Sequence, residues 1–427
     1  MSGSLVQDLG IGPEVWLFLS LTGCLTLFFK FSRVWSVRNL DLLLLFALSP
    51  GMMILVGNGA NQPWIAFVWL FFGSAFWLVR CLLDLGLTRR PLLEPNLNAA
   101  GLACLSIGVL GLLVAETVSL PVDDGAKRNP ADPGGRVNTS PTPKSIDAVE
   151  QLDDVLKRSL ILPSSLRRER PQVIVSRVLA SLAHLALAIG LIIVGWRHFE
   201  RPIAGLAAAT CYLISPYTRI ALVDSGQVIP AALIVWALVC YMRPSLSGVL
   251  IGLAAGWMPA CLGLVAPWAG FYRGRGAWRF LLIGLGAVAI CGLIGAKVPG
   301  LSEWARALGA RSLAEVGIFP GVEPPPSGSF WSGIEGTYRL PVLILYLALV
   351  LVTTLWPAQK NLGELIALSA ALLVASQFWY LEEGGTLVLL YLPLVVLMMF
   401  RPNLTSKRPN PPPKSALESR RSLYPVR

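Results

Sequence analysis

The chain has 427 residues, 55% of them hydrophobic and 14% charged, with 35 Lys and Arg against 24 Asp and Glu for a net charge of +11. So apolar a composition excludes an ordinary soluble domain and describes an all-α polytopic membrane protein; its basic excess sits in short loops and in the 401–427 tail, which argues against nucleic acid as a partner. Two histidines, His184 and His198, argue against a His-built metal centre, and seven cysteines without a CxxC pair read as small packing residues.

Apolar segments follow in order at 15–31, 40–56, 62–83, 98–120, 173–195, 203–218, 225–242, 247–271, 278–297, 340–356, 362–378 and 385–400. Lipid offers the backbone no water to bind, so these are expected to be helices, about 11 to 13 transmembrane or half-helices in all. The first segment has Asp8 and Glu14 ahead of it, no Lys or Arg and no small-residue cleavage site, which reads as a retained helix.

Positive charge sets the expected orientation. Lys30, Arg33 and Arg38 mark the first loop as cytoplasmic, Arg80, Arg89 and Arg90 the third, and the Arg/Lys-rich tail the last. These agree only if one segment does not cross, and that segment is "SGVLIGLAAGWMPACLGLVAPWAGFYRGRGAWRF". Arg243 precedes it and Arg273, Arg275 and Arg279 follow, so both ends belong to one face. Gly256 and Pro259 at its centre break a helix, because one lacks side-chain restraint and the other lacks the N–H. A hairpin of two half-helices over 247–271 is expected.

Two long polar stretches, 121–172 and 298–339, then form extracytoplasmic loops. The first opens as irregular backbone, "PVDDGAKRNPADPGGRVNTSPTPK", and changes at Ser145, where Ile146, Val149, Leu152, Leu156 and Leu160 recur at helical spacing. An amphipathic helix on the outer membrane surface or packed on the protein's own loops accounts for it. In this loop Arg167, Arg168 and Arg170 run against the charge rule, which is weakest for long loops. The second contains "GVEPPPSGSFWSG", irregular because of its Pro and Gly.

A charge inside a span costs roughly 2.5 to 3.5 kcal/mol at the helix centre, so each one is a functional candidate. Arg177 lies just inside the span opening at Val173, Lys297 ends another, Glu116 sits near the outer end of the fourth, and Asp123 and Asp124 follow it. Arg219 and Asp224 flank the turn in "SPYTRIALVDSGQVIPAAL", with Gln227 entering the next helix. All of these are expected near one membrane face. Acids beside cations at a lipid boundary suit a lipid with a phosphate headgroup, held by Arg or Lys, with a carboxylate as general base. The plainer reading of the same residues is snorkelling for Arg177, turn capping for Asp123 and Asp124, and mutual pairing for Arg219 and Asp224.

Residues 211–280 carry a further pattern. Ser215-Pro216 ends one span, Gly226-Gln227 forms a turn, and Gly248, Gly252-Leu253-Ala254, Pro259 and the basic-aromatic run 273–279 follow. This order resembles the polyprenyl-phosphate-sugar-dependent GT-C glycosyltransferases, especially their bacterial mannosyltransferase-like branch. The resemblance implies inverting transfer of a sugar from a lipid phosphate on the outer face, with an acid of the first large outer loop as base. Carried onto this chain, the catalytic candidates are Asp123 and Asp124, with Glu116 in reserve. The substrate-binding candidates are Arg177, Arg219, Asp224, Gln227 and Lys297. Two places depart from the family's pattern: Trp257-Met258 stand where a Lys commonly precedes the hairpin Pro, and the acids sit in "VDDGAK" after several spans instead of one.

The expected organisation is therefore extra spans over 1–97, a GT-C-like core over 98–297, a second outer loop over 298–339, further spans over 340–400 and a basic cytoplasmic tail over 401–427. The expected setting is the cell membrane, with membrane lipids and a polyprenyl-phosphate-linked sugar as partners. No cofactor and no metal site is assigned, although the carboxylates leave room for a divalent ion. The competing readings are a lipid or solute transporter or flippase, and a non-catalytic protein that keeps the GT-C shell.

Overall fold

The computed structural model describes residues 13–58, 63–87, 93–119, 171–297, 299–311, 330–331, 334, 336–381 and 384–409. Every regular element among them is helical: α1 (Pro13–Phe28), α2 (Val37–Ala47), α3 (Ser49–Asn58), α4 (Pro63–Leu83), α5 (Ala99–Ser119), α6 (Pro171–Ile193), α7 (Pro202–Ile214), α8 (Pro216–Ile220), α9 (Ser225–Val239), α10 (Pro244–Trp257), α11 (Val265–Phe271), α12 (Ala277–Lys297), α13 (Pro299–Ala307), α14 (Arg339–Leu355), α15 (Leu362–Ser376) and α16 (Val388–Phe400). Among the described residues five stretches are long and apolar enough to cross a membrane: Val37–Leu55, Trp64–Leu83, Ala99–Thr117, Gln172–His198 and Ala277–Lys297. Shorter apolar helices pack among them, and α15 and α16 are buried along their whole length.

Local chemistry starts and stops these helices. Proline opens α7, α8 and α10, where its missing N–H costs nothing. Ser36 caps α2 by accepting from the Asn39 N–H at 3.2 Å, and Asn361 with Glu364 forms a capping box on α15. The apolar run 203–218 is two helices, because Ser215, preceding Pro216, takes extended backbone (ψ 136°) and ends α7 at Ile214. Likewise 40–56 divides at Leu48, two residues ahead of Pro50.

The passes alternate between two ends of the bundle. At one end, which carries the Lys and Arg of the short loops, the Asn96 N–H donates to the carbonyl of Leu27, Nε2 of His198 to that of Val239, Tyr272 Oη to that of Tyr241, and the Leu362 N–H to that of Lys407. We call this the basic end. At the far end, Arg339 Nε donates to the Trp379 carbonyl and Phe330 stacks on Trp64, with ring centroids 5.9 Å apart, and meets Phe71 edge-on at 4.3 Å.

α10 and α12 run parallel. Gly248 abuts Phe280, Gly252 abuts Gly284, and Gly256 abuts Cys291, so contacts advance together along both helices. The chain between them must return. It does so through a 3-10 turn, Pro259–Leu264, followed by α11, and Tyr272 arrives back beside Tyr241. The break falls at Met258, which takes extended backbone before Pro259. Non-α-helical backbone at this depth is tolerated because protein, not lipid, surrounds it: Pro259, Ala260, Cys261 and Leu264 are all buried.

Glycines at four-residue spacing let the two backbones touch, as small residues do between membrane helices. A Cβ at Gly252 would stand 2.3 Å from the Gly284 carbonyl oxygen, whereas one at Gly286 would meet nothing within 4 Å. Gly252→Val is therefore expected to force α10 from α12 and cost about 1–3 kcal/mol, read as a lowered melting temperature in nanodiscs. Gly286→Val is expected to melt as the wild type, and equal melting of the two variants would contradict this packing.

The basic end also holds a buried charge network. Arg80 reaches both carboxylate oxygens of Asp41, at 2.6 and 2.7 Å, and Asp84 at 2.9 Å. Arg401, just past α16, binds the other oxygen of Asp84 at 2.5 Å, and Arg38 donates to the Arg401 carbonyl at 3.1 Å. The side chain of Asp84 is fully buried and that of Asp41 nearly so. Beyond it the segment to Pro409 laces the other helix ends together, through Lys407 to Glu200, Arg408 to Gln359, and the Pro409 carbonyl to Arg275.

Candidate functional site at the far end of the bundle

The turn between α7 and α9 sits at the far end and gathers residues from separate helices. Arg219, in the last turn of α8, extends to Glu116 near the end of α5, with Nε 2.6 Å from the carboxylate. Its guanidinium carbon lies 4.9 Å from the ring centroid of Trp16 on α1. The arginine is thus held between a carboxylate and an indole face, a charge-assisted bond backed by a cation–π contact. Both side chains of the ion pair keep under a fifth of their surface exposed. Arg219 and Asp224 do not pair with each other.

Asp224 caps α9. Its Oδ1 accepts from the Gln227 N–H at 3.3 Å, and the side-chain amide of Gln227 also donates to this carboxylate. Arg311 lends a favourable positive charge. Burial nonetheless dominates and pushes the Asp224 carboxyl above the ordinary carboxylate range. A carboxyl raised in the folded state contributes stability that is complete below that range and declines as pH rises through the folded value. Asp224→Asn keeps a good cap and removes the charge. Melting of the wild type minus that of Asp224→Asn is therefore expected to fall as pH climbs out of the acid range, and a flat difference would contradict the burial assigned to this group.

Ser176 on α6 and Ser225 at the start of α9 lie 3.1 Å apart through their hydroxyls, which joins the second turn of α6 to the same site. Arg177, next in sequence, is buried. Lys297 ends α12 as an exposed residue, and among the described residues it makes no hydrogen bond or ion pair with the cluster. The structure therefore brings together Glu116 with Arg219, and Asp224 with Gln227, beside the helix that carries Arg177. Asp123 and Asp124 lie outside the described residues, as does the proposed amphipathic helix after Ser145; the chain leads to them from the end of α5, a few residues past Glu116.

One part of the site is absent from the sequence reading. α13 follows α12 in the second polar stretch and lies against α6 and α12. It is fastened to the head of α9. Ser225 Oγ donates to the Leu308 carbonyl at 2.6 Å, the Arg311 N–H donates to the Trp257 carbonyl at 2.9 Å, and Gly309, at φ +88°, lies against Gly226. Leu301, Trp304 and Leu308 at helical spacing after Pro299 were the available signal.

The two histidines are structural. Nε2–H of His184 faces the Leu222 carbonyl at 3.2 Å, so Nδ1 accepts from Tyr212 Oη at 2.8 Å. Among the described residues no three His, Cys, Asp or Glu side chains gather as a metal site. No family model matches the chain, and no curated protein and no solved structure matches it.

Proposed function

We propose that this chain is a membrane glycosyltransferase that takes a sugar from a polyprenyl-phosphate carrier at the far end of the bundle and passes it to a hydroxyl acceptor. The observation that carries the reading is the meeting of Glu116, Arg219, Asp224 and Gln227, from separate helices, beside Arg177 at that one end. The helical backbone breaks at Ser215, and the turn that follows it carries Arg219 and Asp224 between two helices.

Glu116 binds Arg219, and this pair orients the site; Arg177, the buried cation on the neighbouring helix, is assigned the phosphate by its charge. The base falls to Asp123 or Asp124. The acceptor O–H proton passes to that carboxylate, the acceptor oxygen bonds the anomeric carbon, and the bond from that carbon to the carrier phosphate breaks, with the arginine charge opposing the negative charge on the leaving group. Attack by the acceptor oxygen on the anomeric face opposite the departing carrier phosphate gives inversion.

Purified protein in nanodiscs, given a radiolabelled polyprenyl-phosphate sugar, is expected to move label into a new product. Movement of the intact carrier across a sealed bilayer, with no chemical change, would replace this reading by a flippase.

A further inference from the structure

At the basic end a cleft of about 430 Å³ opens between three helix ends, within the volume range of small-molecule sites. Leu97 just ahead of α5, Ile203 in the first turn of α7 and Phe400 at the end of α16 supply apolar lining. The charged lining is Glu94, from the connection that leads to α5, with Glu200 and Arg201, from the connection between α6 and α7. α5 is a candidate span of which only 17% is buried. The cleft therefore stands where bundle, lipid and water meet.

The fold does not consume these charges. Among the described residues Glu94 and Arg201 make no ion pair or hydrogen bond through their side chains, and Glu200 gives one carboxylate oxygen to Lys407 and keeps the other. Glu200 also takes φ +58°, a left-handed backbone that glycine would adopt without strain, yet a carboxylate is held there. α7 begins at Pro202, so the positive end of its dipole lies next to Arg201.

This lining selects among headgroups. Arg201 beside a helix start suits a phosphate, and two carboxylates suit an ammonium that has N–H groups to donate. A phosphate headgroup without an amine would bring its negative charge to both acids uncompensated. A quaternary ammonium donates no hydrogen bond and is recognised by aromatic faces, of which the lining offers only Phe400. A primary ammonium linked to a phosphate matches both signs of charge, and acyl chains leaving it meet Leu97 and Ile203. We propose that the cleft binds a zwitterionic phospholipid with a primary amine, taken from the leaflet at the basic end. The site lies apart from the far-end cluster and does not depend on the transferase reading.

The full-length protein, delipidated in detergent micelles, is titrated with dioleoyl phosphatidylethanolamine, phosphatidylcholine and phosphatidylglycerol, and bound lipid is counted by native mass spectrometry. The ethanolamine lipid is expected to bind saturably and about tenfold more tightly than the other two, the worth of a charge-assisted hydrogen bond. Arg201→Met is expected to weaken it by about the same factor. Glu94→Gln with Glu200→Gln should abolish the preference over the choline lipid. Ile203 is half-exposed, so Ile203→Trp fills the cleft without disturbing the core and keeps all three charges; it should weaken binding as Arg201→Met does. Gly286→Val should bind as the wild type, and melting in lipid-free micelles verifies that each variant is folded. Equal affinity for the ethanolamine and choline lipids, tighter binding of the glycerol lipid, or full affinity in both Arg201→Met and Ile203→Trp overturns the site. Soluble glycerophosphoethanolamine binding as tightly as the intact lipid overturns the assignment to a membrane lipid.

Discussion

Arg80→Met is expected to destabilise the protein by about 3–5 kcal/mol, the usual consequence of removing one partner from a buried ion pair. The guanidinium serves two carboxylates at once, Asp41 through two bonds and Asp84 through one, and its loss takes both bonds from Asp41 and leaves Asp84 with Arg401 alone, where little water reaches. Asp84→Leu should cost a comparable amount, because it frees Arg80 and Arg401 together. The pairing makes the double variant informative. Asp84→Leu with Arg401→Met removes opposite charges and is expected to cost less than the sum of the two single changes, which a double-mutant cycle of melting curves in nanodiscs measures. Simple additivity would mean that the Asp84–Arg401 contact carries no coupling.

Asp123→Asn with Asp124→Asn is expected to lower label transfer by about 10²–10⁴-fold, the range a positioned general base contributes. Carrier binding should survive, because Arg177, the residue assigned to the phosphate, is left in place. Glu116→Gln tests the division of roles from the other side. Glu116 is bound to Arg219, so its loss should disturb carrier affinity before turnover. If the Asp pair leaves transfer undiminished while Glu116→Gln abolishes it, the base is Glu116 and the assignment made here is reversed.

The features written locally were legible. Pro259 and the arginines on both sides of 247–271 describe a segment that returns to its starting end, and the parallel run of α10 beside α12 has that geometry. The positions of Glu116, Arg219 and Asp224 near helix ends could also be read, because a charge is tolerated there. Partner choice could not. Arg219 lies 103 positions from Glu116 and Arg401 lies 317 from Asp84, and nothing in either neighbourhood names the other. Asp41 and Asp84 are opaque for the same reason. Each stands within one helical turn of an arginine at the margin of an apolar run, and only packing reveals that both are buried. α13 was hidden by its brevity among Pro and Gly, and with it the bonds that fasten Leu308 and Arg311 to Ser225 and Trp257.

The bond between Arg401 and Asp84 also bears on the order in which the chain is made. Asp41, Arg80 and Asp84 enter the membrane early in synthesis, and Arg401 follows Asp84 by 317 residues. Throughout that interval Arg38 and Arg80 face Asp41 and Asp84 inside the nascent N-terminal helices, but Asp84 lacks the second guanidinium that binds its other oxygen. The last helix brings that partner as it docks, and the strap that follows it ties the ends of helices inserted long before. Completion of the bundle is thereby tied to completion of the chain. A ribosome stalled ahead of α16 would leave a membrane intermediate in which one oxygen of Asp84 lacks its arginine, the kind of defect that a protease surveying the bilayer can recognise.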